Sequence, residues 1–173
     1  FRERTFAGVD GRLRTPIPVD SERTQYESSD GRNNIDLAIR YAHYFGDIDI
    51  GVSVFDGTSR EPRLVPAADT ATLLPYYDQL TQFGVDVQYT REAWLWKLET
   101  IVRDGYSETF AAAVAGFEYT FYQLGGSSSD IGMLLEYQYD GRSLLEPITV
   151  ADNDVFAGAR LAMNDIQDTT VLA

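Results

Sequence analysis

Histidine chemistry in this chain would depend on one residue, because His43 is the only histidine among 173 residues. A Ser-His-acid hydrolase would need His43 as general base, with a serine and a carboxylate in reach. His43 falls on the apolar alternation of its segment, near a turn, which favours an interfacial ring. We therefore predict no catalytic residue, no metal and no cofactor, and a His43-dependent envelope hydrolase is the enzyme alternative.

Cysteine chemistry is excluded as well, because the chain contains no cysteine. Disulfides, thiolate metal sites and a cysteine nucleophile are therefore ruled out. A multi-histidine metal centre is also ruled out, since it needs more than one histidine. The remaining polar side chains have the spacing of a lining rather than of an active site.

This lining consists of charged and amide residues that alternate with apolar ones, so that they share one side of extended strands. Such a lining sets ion or solute preference, or it braces the wall of a barrel through salt bridges. The residues that we predict to line a lumen are Arg12, Arg14, Asp36, Arg40, Asp49, Asp86, Gln88, Lys97, Glu99, Arg103, Glu118, Glu136, Gln138 and Arg160.

The stretch from Phe83 to Arg103 shows most clearly how strands would position this lining. Apolar and polar residues alternate on both sides of a polar break at 90–92. Period two on both sides of a tight turn predicts an antiparallel hairpin with one apolar face. Aromatic residues gather near the turn, as in membrane β-hairpins. The residues that we predict to face lipid or to form an aromatic girdle are Tyr41, Ile48, Ile50, Val52, Val85, Val87, Tyr89, Trp94, Trp96, Phe121 and Tyr137.

The same alternation recurs along the chain, with a last partial strand near the end. It predicts further strands at 5–14, 35–44, 48–55, 110–122, 131–140 and 155–164. The stretch at 110–122 is ambiguous, because Ala111-Ala112-Ala113 alone would suit a helix.

The connections between these strands alternate in length. Short turns are predicted near Gly46, Glu92, Ser128 and Gln167. Long loops are predicted at 15–34, 57–80 and 141–154, the second with a helical piece around 67–74, and a short link near Gly105 is the exception. This alternation is typical of an up-and-down meander with short periplasmic turns and long outer loops.

The composition of the chain disfavours several classes of binding partner. The formal net charge of −13 argues against nucleic acid, whose phosphates would be repelled. It also disfavours docking on an anionic membrane surface. Lys97 is the only lysine among 14 basic residues, and arginine suits dense, partly desolvated charge networks. No apolar run approaches the roughly 20 residues of a membrane helix.

These segments resemble Gram-negative outer-membrane β-barrels of the porin-like type, without indicating a subfamily. The resemblance is carried by NNIDLAIRYAHYFGDIDIGVSVFDG, FGVDVQYTREAWLWKLETIVRDG, GFEYTFYQLGGSSSDIGMLLEYQYDGR and DVFAGARLAMND. It implies an outer-membrane location, contact with the lipid bilayer and, by analogy, passage of small solutes through a polar lumen.

We therefore expect one all-β domain over residues 1–173, an antiparallel up-and-down transmembrane β-barrel that is truncated at both ends of the chain. A soluble lipocalin-like barrel has the same alternation with its apolar face inside, and periodicity does not distinguish the two. The scarcity of lysine and the small residues on the polar face favour the membrane. A structural barrel without an open pore is a third alternative, and homo-oligomerisation is left open.

Overall fold

The computed structural model describes residues 2–68, 71–106, 108–143, 146–147, 149 and 152–173. This part of the chain is all-β, with three short 3-10 turns and no α-helix. Its strands are β1 (Gln25–Tyr26), β2 (Leu37–Phe45), β3 (Ile48–Thr58), β4 (Arg63–Pro66), β5 (Leu73–Tyr77), β6 (Gln79–Arg91), β7 (Trp94–Asp104), β8 (Phe110–Phe121), β9 (Asp130–Asp140), β10 (Asn153–Ala162) and β11 (Thr170–Leu172). The 3-10 turns are Ser21–Arg23, Gly31–Asn33 and Leu124–Gly126.

Eight of these strands form one antiparallel sheet, which we call the main sheet. Its order is β11-β10-β9-β8-β7-β6-β3-β2, so that each strand pairs with the next one along the chain except where β4 and β5 are inserted. The predicted all-β class with antiparallel strands is confirmed. In the described residues β2 and β11 lie at the two edges and do not pair with each other, so the sheet is open.

The register places the apolar residues of the main sheet on one side. Ile50 pairs with Val87, and Val87 pairs in turn with Leu98. Because side chains alternate along each strand, this register extends one apolar face over all eight strands. We call this side the apolar face and the opposite side the polar face.

Three further strands form a small sheet in the order β1-β5-β4. The β4–β5 hairpin extends the ladder between β3 and β6, because the Ser59 N–H donates to the Asp78 carbonyl at 2.8 Å. The stacked rings of Tyr26 and Tyr77 join β1 to β5, with centroids 5.5 Å apart.

The buried core lies where the small sheet meets the long-loop end of the main sheet. Tyr77 and Thr58 have no exposed surface, and Leu80, Phe110 and Asp78 are at most 6% exposed. Elsewhere the main sheet has a single layer in the described residues, since its strands make nearly all of their contacts with their neighbours in the sheet.

Two sequence predictions about the loops and the amino-terminal region were wrong. The predicted strand at 5–14 is a pair of turns, in which the Gly11 N–H donates to the Gly8 carbonyl at 2.8 Å and the Arg14 N–H donates to the Gly11 carbonyl at 3.2 Å. These hydrogen bonds replace the extended backbone that the alternation had indicated. Arg12 and Arg14 are therefore exposed turn residues and do not belong to the main sheet.

The helical piece predicted at 67–74 is not a helix where it is described, and residues 69 and 70 lie outside the described part. Leu73 and Leu74 begin β5, and Leu73 pairs with Pro66 of β4. The Ala67 N–H donates to the Thr72 carbonyl at 2.9 Å and closes the hairpin. The alanines at 111–113 lie in strand β8. In the predicted loop at 141–154, residues 144, 145, 148, 150 and 151 lie outside the described part.

None of the described residues belongs to a helix with the length and hydropathy needed to cross a bilayer.

Candidate functional site on the polar face

The polar face brings together most of the residues that the sequence placed in a lining. These are Arg40, Asp49, Asp86, Gln88, Lys97, Glu99, Arg103, Glu118, Glu136, Gln138 and Arg160. The remaining three lie elsewhere. Asp36 immediately precedes β2, while Arg12 and Arg14 lie in the amino-terminal turns.

A cavity of about 520 Å³ lies on this face and extends over strands β2, β3 and β6–β9. Its lining includes three small residues, Ser53 on β3, Gly84 on β6 and Ala112 on β8. Because these three residues have short side chains or none, they leave space between the longer side chains that bound the cavity. The charged and amide residues that line it are Arg40, Asp86, Glu99, Gln138 and Asp140. We call this space the polar cavity.

One ion pair crosses the polar face beside this cavity. Arg40 on β2 donates from Nη1 to Asp86 Oδ1 at 2.6 Å and from Nη2 to Asp86 Oδ2 at 2.9 Å. The intervening strand β3 carries Gly51, where a Cβ atom would lie 2.5 Å from Asp86 Oδ1. The glycine therefore leaves the space that lets the two charged side chains meet across a strand.

A second ion pair has the same arrangement. Arg160 on β10 donates from Nη2 to Glu118 Oε1 on β8 at 3.2 Å. On strand β9 between them, a Cβ atom at Gly132 would lie 2.8 Å from Glu118 Oε1. In both ion pairs, a glycine on the intervening strand leaves the space in which the two charged side chains meet. The small residues on the polar face thus make room for the salt bridges that cross it.

Other charges on the polar face remain without such partners. The side chains of Asp49, Lys97, Glu99 and Glu136 make no hydrogen bond or ion pair within the described part of the chain. Glu99 lies close enough to Arg40 for an electrostatic interaction, but both terminal nitrogens of Arg40 already donate to Asp86. These unpaired groups are available to solutes or ions.

A charge network lies at the long-loop end of the polar face, and the sequence did not predict it as a unit. Arg103 and Arg142 both approach Glu61, with N–O distances of 3.5 and 3.3 Å to its Oε2 atom. Both guanidinium groups also lie over the Phe110 ring, at 5.7 and 5.3 Å from its centroid. Arg142 additionally pairs with Asp140 at 2.7 Å. No local spacing marks Glu61 or Arg142, because they lie in loops without periodicity.

A second cavity, of about 390 Å³, lies beside this network and is lined in part by Ser59, Glu61 and Arg103. The Tyr106 hydroxyl lies 2.6 Å from Ser59 Oγ. Burial raises the pKa of the Tyr106 hydroxyl, which is protonated at neutral pH even without this shift. The second cavity is therefore lined by a serine whose hydroxyl already has a partner and by two arginines, Arg60 and Arg103, that are already paired with carboxylates.

The apolar face carries all of the residues that we predicted to face lipid or to form a girdle. Large side chains on this face are exposed even in central strands: Trp96, Leu98 and Leu135 have exposed fractions of 46%, 39% and 41%. Each of these residues would be covered by a second layer in an ordinary sheet packing.

Aromatic rings cluster near the short-turn end of the apolar face. Trp94 stacks on Trp96 with centroids 5.4 Å apart and lies 4.6 Å from the ring of Tyr119, which contacts Phe121 at 4.7 Å. At the opposite end of the sheet, the Tyr137 hydroxyl donates to Asn153 Oδ1 at 2.6 Å. Rings therefore lie towards both ends of the strands.

His43 lies on the apolar face of β2, surrounded by rings. Its ring centroid is 4.5 Å from that of Phe45 and 6.2 Å from that of Tyr41. It makes no hydrogen bond to a serine or a carboxylate in the described residues. The prediction that the protein is not an enzyme stays a prediction.

Comparisons with known proteins give no relative: no protein-family model, no curated protein and no solved structure matches the chain. The geometry of the two faces of the main sheet is therefore the basis for assigning a function.

Proposed function

We propose that the main sheet is part of the wall of an outer-membrane β-barrel in a Gram-negative bacterium, with its polar face lining a passage for small solutes. The observation that carries this proposal is the exposure of the apolar face. Large apolar side chains are exposed on adjoining strands, while most of the charged residues of the strands lie on the other face. A lipid bilayer would cover the apolar face without a second protein layer.

The extent of this face supports a membrane rather than water as its surroundings. Soluble monomers rarely expose contiguous apolar patches larger than a few hundred Å². Removing apolar surface from water stabilises a protein by roughly 25 cal/mol per Å². An exposed apolar face that extends over eight strands therefore favours a covering layer. Strands β7, β9 and β10 have 11, 11 and 10 residues, and a tilted strand of about 9–11 residues crosses a bilayer.

The positions of the rings also support this orientation. Trp94, Trp96 and Tyr119 lie towards the short turns, and Tyr137 lies towards the long loops. Aromatic girdles of membrane barrels flank the apolar band at both interfaces. We place the short turns in the periplasm and the small sheet, with the long loops, on the outer side.

Closure of the barrel is part of the proposal. The main sheet has eight antiparallel strands in the described residues, so its edge strands β2 and β11 run in opposite directions. Antiparallel edges can pair directly or through an even number of further strands. Either route keeps the apolar face outside and the polar face inside. A soluble ligand-binding barrel would instead enclose the apolar face.

The first test uses the absence of cysteine to read lipid contact residue by residue. Four variants of the protein each carry a single cysteine, at Val85, Asp86, Val87 or Gln88. Each variant is labelled with a fluorophore and reconstituted in bilayers that contain nitroxide lipids. We expect strong quenching at positions 85 and 87, because these side chains lie on the apolar face. Labels at positions 86 and 88 should respond only to a water-soluble quencher.

Quenching by lipid at none of these four positions would contradict the membrane proposal and favour a soluble barrel. Solute passage is measured separately, as ion conductance across planar bilayers. Lipid contact without any conductance would support a structural barrel that lacks an open pore.

A further inference from the structure

The charges that line the polar cavity are not balanced. Asp86 is held by Arg40 through two hydrogen bonds, and Asp140 pairs with Arg142 at 2.7 Å. Each of these carboxylates therefore has its own cation. Glu99 is the remaining charged group of the cavity lining, and it gives the cavity with its arginine partners a net charge of −1.

The register places the unpaired carboxylate of Glu99 beside a second carboxylate. Asp86 on β6 and Glu99 on β7 occupy directly opposite positions on the polar face. Like charges in such a position destabilise a sheet. Arg40 compensates one carboxylate through hydrogen bonds, and the second remains directed towards the same cavity. An apolar or amide residue at position 99 would avoid this repulsion.

We propose that the polar cavity prefers cationic solutes and that Glu99 determines this preference. Insofar as it concerns solutes in transit, this proposal rests on the proposed function. A concave surface with excess charge of one sign raises the local concentration of the opposite ion. Asp86 and Asp140 contribute less because their arginine partners cancel most of their field.

Lys97 makes no ion pair with Glu99 in the described part of the chain. It lies two positions before Glu99 on β7, pairs with Gln88 in the register, and is not part of the cavity lining. The residues paired with one another across neighbouring strands form a row on the sheet. The row that contains Lys97 also contains Asp49 and Glu136, two carboxylates without partners in the described part of the chain. The neighbouring row therefore also has a net charge of −1.

The test measures the electrostatic potential in the cavity through the reactivity of a thiol. Ser53→Cys places a single thiol among the small residues of the cavity lining, and Ser29→Cys places one in an exposed loop as reference. Each variant is treated with a cationic trimethylammonium-ethyl and an anionic sulfonato-ethyl methanethiosulfonate. The ratio of cationic to anionic rate at Ser53→Cys, divided by that at Ser29→Cys, reports the cavity potential.

We expect this normalised ratio to exceed one and to fall about fivefold when Glu99→Gln is added, because Glu99 lies two strands from position 53, about 10 Å away, and a unit charge at that distance shifts the two rates in opposite directions. Gln138→Glu adds a carboxylate to the cavity lining and should raise the ratio. Asp49→Asn, which removes an unpaired carboxylate outside the cavity, should change it less than twofold. A ratio below one, or one that Glu99→Gln leaves unchanged, would overturn the proposal.

This assay separates failure of the inference from failure of the proposed function, because it requires no conductance. Conductance with an anion-favouring reversal potential in a salt gradient would overturn the cation preference while the channel remains. A Glu99-dependent thiol ratio without any conductance would leave the cavity preference standing and count against solute passage.

Discussion

Replacing Arg63 by alanine should destabilise the small sheet by about 3–5 kcal/mol. Arg63 donates from Nε to Asp78 Oδ2 at 2.9 Å, and its Nη2 atom donates to Oδ1 at 2.5 Å. The Asp78 side chain is only 4% exposed. Removal of the guanidinium would leave a buried carboxylate without its cation, which costs more than the lost hydrogen bonds alone.

Hydrogen–deuterium exchange of the amides in β4 and β5 measures this effect. Since 1.36 kcal/mol corresponds to a tenfold change, we expect exchange there to accelerate by about two to four orders of magnitude. The double variant Arg63→Met, Asp78→Leu should recover most of the protection, because it removes both charges. Arg32→Ala, which breaks the pair of a 70% exposed arginine with Glu3, should cost less than about 1 kcal/mol.

The strands of the main sheet were predictable because their alternation is long. The predicted strand at 131–140 corresponds to β9 (Asp130–Asp140), and the hairpin at 83–103 corresponds to β6 and β7. Over eight or more residues only one register keeps every apolar side chain on the same face. The two faces could therefore be predicted together with the strands.

The small sheet could not be predicted in the same way. Its strands have only two to five residues, and β4 and β5 each contain a proline. Its pairing of β1 with β5 is parallel and joins Tyr26 to Tyr77, far apart in the chain. No local pattern encodes such a contact. Conversely, the alternation at 5–14 predicted a strand where local turns form instead.

The polar face was predictable as a set of residues, but its pairing was not. Arg40 and Asp86 are 46 positions apart, and they meet only because β3 lies between their strands and carries Gly51. The sequence could therefore not show that Asp86 is neutralised while Glu99 is not. The network of Arg103, Arg142 and Glu61 was equally hidden, since it depends on how two loops fold over Phe110.

Gly105→Ala should lower the free energy of unfolding by about 3 kcal/mol or more. Gly105 links β7 to β8 and has a φ of +123°, in a region that L residues rarely adopt. A Cβ atom there would lie 2.6 Å from Leu80 Cα and would also overlap the Gln79 carbonyl oxygen. Because both contacts involve backbone, the overlap can be relieved only by moving the start of β6.

Gly46→Ala is the matched control, because Gly46 also has a positive φ, of +61°, but has open space where the Cβ atom would be. It should cost only about 1–2 kcal/mol, the penalty of the left-handed backbone alone. Urea unfolding in detergent micelles, followed by the fluorescence of Trp94 and Trp96, compares the two variants. Equal losses at both glycines would show that the approach of Gly105 to β6 contributes nothing. A larger loss at Gly105 would support the conclusion that the close approach of this short link to β6 restricts position 105 to glycine.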